Sequence, residues 1–282
     1  MGQKVSVRGT DVKKQIFRAT DQKEFIGLFD GLCMRRHAWK AWGDFVEASA
    51  IAVSNSCDKT GPKRNEREER YRQIMAGYEP KEQEIFPQLF GALTEALEQN
   101  PDQDFLGDMF MRLELGSHWH GQFFTPYNLC RAIAEIQMGD AQERIQTRGW
   151  VSINDCACGA GALLIAARNV MMRAGLDWSS GALFVAQDID RTAALMCYLQ
   201  LSLLGCAGYV VIADSLRYPT TGSLLRPTPV PEQDIWYTPT LYLSPVWGYR
   251  MLWERIESVQ QCATSAPEAE SITEAGAQLT LF

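Results

Sequence analysis

Residues 150–173, WVSINDCACGAGALLIAARNVMMR, decide the fold that this sequence predicts. The run WVSIND is short, contains β-branched residues, ends at Asp155 and is typical of a strand. The small residues that follow suit a tight loop, and GALLIAARNVMMRAG (161–175) then has the apolar pattern of a helix. A strand, a glycine-containing loop and a helix in this order begin a βαβ unit.

The same rhythm continues downstream. ALFVAQD (182–188) predicts a second strand, RTAALMCYLQLSLLG (191–205) a helix, and GYVVIAD (208–214) a third strand. This alternation predicts an α/β fold with a mostly parallel sheet. Each of the three strands ends in an aspartate, namely Asp155, Asp188 and Asp214. Because ligands bind beyond the carboxyl ends of parallel strands, we expect the three carboxylates to converge on one site.

The first part of the chain has a helical pattern. Phe25, Leu28, Phe29 and Leu32 recur at helical spacing, and further helices are predicted near 37–53, 64–76, 80–98 and 102–115. We therefore predict a helical region over 1–115 and an α/β domain over 116–260. Residues 261–282 form a tail whose small, polar and acidic composition is typical of disorder.

Composition limits the class of protein. The 282 residues are 46% hydrophobic and 22% charged, which is ordinary for a soluble globular protein. The sequence offers no long apolar span and no apolar signal core, and its eight cysteines follow no paired framework. We therefore expect a reducing, cytoplasmic location. The net charge of -7 disfavours a protein that grips DNA alone, because phosphate contacts require Lys and Arg.

The loop DCACGAGA (155–162) is compatible with two cofactor classes. A dinucleotide site would need a third glycine where Leu164 stands, and Asp155 would repel its phosphates. S-adenosylmethionine carries an ammonium group that suits Asp155, and Asp188 could accept both ribose hydroxyls. A lone G-x-G is more often a packing feature, but the three strand-end acids favour the S-adenosylmethionine site.

The stretch upstream carries a resemblance. GQFFTP (121–126), a helix, DCACGAGALL, AQDID and ADSL follow in order, and DFLGDMFMRLEL (104–115) precedes them. This succession resembles the N6-adenine DNA methyltransferases, in particular the methylation subunits of type I restriction–modification systems. It covers about half of the chain, roughly 102–240, with Cys156 where the family has proline.

The resemblance implies a Rossmann-like, S-adenosylmethionine-dependent domain that methylates the N6 atom of a flipped adenine in DNA. Phe124, Thr125 and Pro126 would hold the methionine end of the cofactor. The implied contacts to the rest of the cofactor come from Asp155, Gly159 and Gly161 in the loop, Asp188 at the ribose, and Ile189 and Asp214 at the adenine.

The family's catalytic motif, [DNS]-P-P-[YFW], should follow a fourth strand, and this sequence has no such tetrapeptide. If Asp234–Tyr237 is that strand, Thr238 and Pro239 occupy the motif; alternatively Ser244 and Trp247 belong to it. The leading hypothesis is an adenine-specific DNA methyltransferase. The alternative is a catalytically impaired relative that acts as a DNA-associated or cofactor-binding accessory protein, and either would need a specificity or partner subunit to read DNA.

Two shorter motifs lie upstream of the first predicted strand and in the tail. His118 and His120 have the spacing of a zinc pair, but no third ligand is evident and we predict no metal site. The tail contains Gln278, Leu279, Leu281 and Phe282 in a pattern that resembles the Q-L-x-L-F peptide that docks on the DNA polymerase sliding clamp. The alternative is that this peptide folds back on its own domain.

Overall fold

The computed structural model describes residues 20–59, 61–113, 115 and 124–264. His118, His120 and the first three residues of GQFFTP lie outside the described residues. The possible clamp peptide, residues 278–282, lies outside them as well.

Helices build the first part of the chain and pack through aromatic side chains. Phe25 is the centre of this packing, with ring centroids 6.0 Å from Trp42 and 5.4 Å from Phe105, both in edge-to-face geometry. The pattern predicted over 80–98 is interrupted at Glu84, so that two helices form there. The helices are α1 (Thr20–Leu32), α2 (Ala38–Cys57), α3 (Arg64–Ala76), α4 (Pro80–Gln83), α5 (Ile85–Gln99) and α6 (Phe105–Arg112).

The α/β part follows in the predicted order. Three strands alternate with helices, and their carboxyl ends meet at one edge of the sheet because all three run parallel. In register, Asp155 pairs with Ala186, and Asp188 with Ile212. The elements are α7 (Tyr127–Gln137), α8 (Ala141–Arg148), β1 (Val151–Asp155), α9 (Ala162–Arg173), α10 (Trp178–Gly181), β2 (Ala182–Asp188), α11 (Arg191–Leu203) and β3 (Ala207–Ile212).

The fourth strand of the sheet departs from the expected arrangement. The chain continues through β4 (Thr221–Gly222), β5 (Pro227–Thr228), β6 (Asp234–Tyr237), α12 (Pro239–Leu243) and α13 (Pro245–Thr264). The sheet order is β1-β2-β3-β6, and β6 runs antiparallel to β3. A parallel strand requires a crossover, usually a helix, whereas the chain between β3 and β6 forms only a small hairpin. The sheet is therefore mostly parallel, with one antiparallel edge strand.

Both faces of the sheet are buried. Phe184 of β2 belongs to a core that the sheet shares with the N-terminal helices, where Trp42 Nε1 lies 3.3 Å from Met196 Sδ. Leu183 points to the other face and packs with Trp247 under α12 and α13. The helical region and the α/β part thus share one hydrophobic core.

Asp234 joins the helical region to the edge of the sheet. Its carboxylate accepts hydrogen bonds from Lys63 Nζ at 2.8 Å, Arg191 Nη1 at 2.9 Å and Trp236 Nε1 at 2.9 Å. Burial by itself would raise the pKa of Asp234, but these hydrogen bonds and the charge of Arg67 outweigh it and lower the pKa to about 2. The ionised carboxylate therefore stabilises the fold.

We expect Asp234→Asn to lower the free energy of unfolding by about 2 kcal/mol at neutral pH, which corresponds to the lowered pKa. The pKa of Asp234 is lower in the folded than in the unfolded chain. Its stabilising contribution is therefore fully present above the pKa of the carboxyl group in the unfolded chain, and it is lost as the pH falls toward about 2. Urea titrations at several pH values measure it. Asp140→Asn, which breaks an exposed pair with Arg144, is the control and should change little. A difference in unfolding free energy between wild type and Asp234→Asn that persists unchanged at acid pH would contradict the assignment.

Candidate functional site

The loop after β1 depends on two glycines with positive φ. Gly159 has φ +53° and Gly161 has φ +96°, and Gly161 is the residue from which α9 begins. A Cβ atom on Gly161 would lie 2.8 Å from Cys197 Sγ on α11. Glycine is thus required at 161 both by the backbone conformation and by the close approach of α11.

Asp188, at the carboxyl end of β2, holds this loop. Its Oδ2 accepts the Gly159 N–H at 2.8 Å, and its Oδ1 accepts the Asp190 N–H at 2.9 Å. The residue is only 8% exposed. An ionised carboxylate has about four lone-pair sites, so two stay available for a ligand. No sequence pattern predicts that this acid also positions the loop.

Phe124 brings the end of GQFFTP to the same loop. A Cβ atom on Gly159 would lie 2.9 Å from Phe124 Cδ1, so the aromatic ring packs directly on the loop backbone. The ring centroid of Phe124 is also 5.4 Å from that of Phe110 on α6. Thr125 and Pro126 follow with exposed side chains, and Pro126 caps the start of α7.

The other two acids occupy the same edge of the sheet. Asp155 is half-buried, and its Oδ1 accepts the Ala157 N–H at 3.1 Å. Burial raises the pKa of Asp155, and the negative charge of Asp188 raises it further. Asp214 accepts the Leu216 N–H at 2.9 Å and lies next to the end of β3. Ile189, beside Asp188, is 69% exposed.

Gln200 is a site residue that the sequence analysis missed. From the last turn of α11, its Nε2 donates to the Ala160 carbonyl at 3.0 Å and to Asp104 Oδ1 at 2.7 Å. Its Oε1 accepts the Leu106 N–H at 3.1 Å, and the side chain is fully buried. Gln200 therefore fastens the loop to α6. The sequence feature that could have indicated Gln200 is a single amide side chain among the mostly apolar residues of α11.

Neither candidate catalytic motif lies at this site. Thr238 is fully buried, and its Oγ1 donates to the Cys206 carbonyl at 2.7 Å and accepts the Gly208 N–H at 3.0 Å. Because β6 is antiparallel, this places Thr238 and Pro239 at the amino end of β3, on the edge opposite the loop.

The alternative motif lies on that opposite edge too. Trp247 is fully buried, and its Nε1 donates to the Ser179 carbonyl at 2.6 Å, just before β2 begins. Ser244 ends α12. The two motif candidates therefore belong to the packing of the sheet's amino edge.

The described part of the chain offers neither a metal-binding cluster nor a membrane-spanning helix. It contains no cluster of three or more His, Cys, Asp or Glu side chains placed to hold a metal ion. Within the same residues, no helix combines the length and apolarity needed to cross a bilayer.

Comparison with known proteins identifies the segment that carries the loop. Residues 103–229, somewhat less than half of the chain, match the family model described as N-6 DNA Methylase. The match confirms the resemblance to N6-adenine DNA methyltransferases over this segment and supports DNA methyltransferase activity in general. Neither the curated proteins nor the solved structures gave a match.

Thr238→Val tests whether Thr238 is structural. The substitution removes the hydroxyl and leaves the buried Gly208 N–H and Cys206 carbonyl with one partner fewer, so we expect the free energy of unfolding to fall by about 1–3 kcal/mol. Urea titration measures the loss. Thr147→Val, at an exposed helix position, is the control and should change stability little. A stability equal to that of wild type would contradict this placement.

Proposed function

We propose that the chain binds S-adenosylmethionine at the carboxyl edge of the sheet, in a Rossmann-like domain, and is a DNA adenine-N6 methyltransferase. The observation that carries the proposal is the packing of Phe124 on Gly159, whose N–H is bound by Asp188. Two separate sequence motifs thereby lie side by side inside the segment that matches the methylase model.

The chemistry of the side chains fits the parts of the cofactor. The two lone-pair sites of Asp188 that the backbone does not use would accept the ribose hydroxyls. Ile189 offers an exposed apolar surface for the adenine ring, and Asp214 would accept a hydrogen bond from the adenine amino group. Bound S-adenosylmethionine would supply the methyl group from its sulfonium.

The methionine end of the cofactor would lie near β1. Asp155 would face the ammonium group, since a half-buried carboxylate attracts a cation more strongly than an exposed one. Phe124, Thr125 and Pro126 would line this end beside the loop. Gly159 and Gly161 would let the cofactor approach the backbone closely.

A second candidate function rests on the position of Thr238. The target adenine must leave the duplex and donate its amino hydrogens to acceptors at the methyl group. The motif candidates lie at the other edge of the sheet, namely Thr238, Pro239, Ser244 and Trp247. In the described part of the chain, no further strand pairs with the outer edge of β1. The alternative is therefore a catalytically impaired accessory protein, or one whose catalytic group comes from a partner subunit.

The remaining partners are part of the proposal. DNA would be the substrate, and a specificity subunit of a restriction–modification system would compensate for the net charge of -7. The peptide Gln278, Leu279, Leu281 and Phe282 would dock on a DNA polymerase sliding clamp in the cytoplasm, with the two last residues filling an apolar pocket.

Calorimetry with S-adenosylmethionine tests the cofactor site. We expect wild type to bind and Asp188→Asn to bind at least about tenfold more weakly, because an amide cannot accept all the hydrogen bonds made by the carboxylate. Asp177→Asn is the matched control: this acid also accepts backbone hydrogen bonds, but just before β2 at the opposite edge, and its loss should not affect affinity. No binding by folded wild type would overturn the cofactor site.

The same samples decide between the two functions. They are incubated with labelled cofactor and unmethylated duplex or single-stranded DNA, and the nucleosides are then analysed by mass spectrometry. Label on the N6 atom of adenine, lost in Asp188→Asn and retained in Asp177→Asn, supports the methyltransferase. Cofactor binding without transfer contradicts a self-sufficient enzyme and supports the accessory function.

Asp155 predicts a pH dependence of cofactor affinity. Its charged form is needed to attract the ammonium, and its pKa is raised by burial and by Asp188. The affinity for S-adenosylmethionine should therefore have its full value near neutral pH and should fall as the pH drops through the raised pKa of Asp155. Asp155→Asn should weaken binding by about tenfold at neutral pH and remove this dependence. Adenosine, which lacks the ammonium, is the control ligand; an equal pH dependence of adenosine binding would contradict the assignment.

A further inference from the structure

Gln187 joins two loops at the carboxyl edge of the sheet. It directly precedes Asp188 in β2 and is only 4% exposed. Its backbone carbonyl accepts the Cys158 N–H, in the loop after β1, at 3.0 Å. Its side chain serves the segment after β3, because Nε2 donates to the Tyr218 carbonyl at 2.9 Å and Oε1 accepts the Thr220 hydroxyl at 3.1 Å. One buried residue therefore contacts both loops.

The segment after β3 is a closed turn. In residues 213–218, the Asp214 turn, the Tyr218 N–H donates to the Asp214 carbonyl at 2.8 Å. Gln187 Nε2 contacts the carbonyls at both ends of this turn, that of Tyr218 and, at 3.4 Å, that of Ala213. The amide of Gln187 therefore fixes where the Asp214 turn lies relative to β2.

A second buried amide holds the same end of the turn. Gln233 is 5% exposed, and its Nε2 donates to the Tyr218 carbonyl at 3.0 Å and to the Pro219 carbonyl at 3.3 Å. Gln233 reaches this edge because it directly precedes β6, which is antiparallel and so begins at the carboxyl edge. A carbonyl oxygen has two lone pairs, so the two glutamines together satisfy that of Tyr218.

The carboxylate of Asp214 is oriented by its own turn. Its Oδ1 accepts the Leu216 N–H at 2.9 Å and the Arg217 N–H at 3.3 Å. Its Oδ2 lies 3.6 Å from Arg217 Nε, but that side chain is 80% exposed, and exposed ion pairs of this kind are weak. Oδ2 is therefore the oxygen that a ligand can use, and its position follows that of the turn.

We infer that Gln187 is a positioning residue that sets the preference of the cofactor site for adenine. It acts through Asp214 and does not itself contact the ligand. The inference rests on the proposed function, in which Asp214 accepts a hydrogen bond from the adenine amino group. It adds the residue that keeps this acceptor within hydrogen-bonding distance.

A positioned carboxylate distinguishes adenine from hypoxanthine. Adenine presents an amino donor at C6, whereas hypoxanthine presents a carbonyl oxygen there, which would face Asp214 as a second acceptor. Sites built to hydrogen-bond one group of a ligand discriminate strongly against analogues that lack it. Hydrogen bonds weaken steeply with distance and angle, so a displaced turn would lose this discrimination.

Calorimetry with S-adenosylhomocysteine and S-inosylhomocysteine tests the inference, because these two probes differ only in the purine. We expect wild type to bind the adenosyl probe at least about tenfold more tightly than the inosyl probe. Gln187→Met keeps the length of the side chain and removes its amide. This variant should reduce the preference at least about threefold, chiefly by weakening the adenosyl probe.

Two control variants separate positioning from a general loss of structure. Gln200→Met removes a buried amide that holds Ala160, in the other loop, and should weaken both probes by the same factor. Gln83→Met removes an amide that donates to two backbone carbonyls in the helical region, and it should change neither affinity. Only Gln187→Met should change the ratio of the two affinities. Circular dichroism at the temperature of the titrations establishes that each variant is folded.

Hydrogen exchange of the ligand-free protein reports on the turn directly. Amides in residues 214–220 should exchange faster in Gln187→Met than in wild type. Gln233→Met removes the other donor to the Tyr218 carbonyl, and it serves as the test variant in both measurements if Gln187→Met does not fold.

The outcomes distinguish this inference from the proposed function. If wild type prefers the adenosyl probe and Gln187→Met keeps the same preference, the inference is overturned and the cofactor site stands. Unchanged exchange over 214–220 in that variant would also overturn the inference alone. If folded wild type binds neither probe, the proposed function fails and the inference fails with it.

Discussion

The hydrogen bond from the Gly159 N–H to the Asp188 carboxylate is the contact on which the candidate site depends. It joins the loop after β1 to the end of β2, and Phe124 then packs on the glycine so positioned. Gln200 fixes the next residue of the loop, Ala160, from the side of α11 and connects it to Asp104. The loop is thus held by two strands and two helices before any ligand binds, which lowers the entropic cost of binding.

The sequence was sufficient for the elements that have strong local patterns. The second strand, 182–188, was predicted with its observed bounds, and parallel pairing follows from the helices between strands. The convergence of Asp155, Asp188 and Asp214 on one edge required no more than strand ends and direction. Gln200 could not be assigned because its partners, Asp104 and Ala160, are distant in sequence and meet only through the packing of α11.

The motif expected after the fourth strand shows where pattern reasoning fails. Asp234–Tyr237 was considered as one option for the fourth strand and is a strand, but its direction is not encoded in its own residues. Direction depends on the preceding connection, which has no crossover helix, and on Asp234, which is fastened to Lys63 and Arg191. A reversed strand moves Thr238 from one edge of the sheet to the other. A threonine that resembles a catalytic acceptor in sequence thereby becomes a buried hydrogen-bonding group between Cys206 and Gly208.

The antiparallel strand also explains why the molecule has two unequal ends. The carboxyl edge carries the loop, the three acids and the cation network around Asp234, all joined to the helical region. The amino edge is closed by Thr238 and Trp247, which lead directly into α13. The residues that close the amino edge are therefore separate from the loop and the three acids at the carboxyl edge. Since the net charge of -7 opposes unaided binding to DNA, the proposed methyl transfer would require a partner that brings the carboxyl edge to DNA.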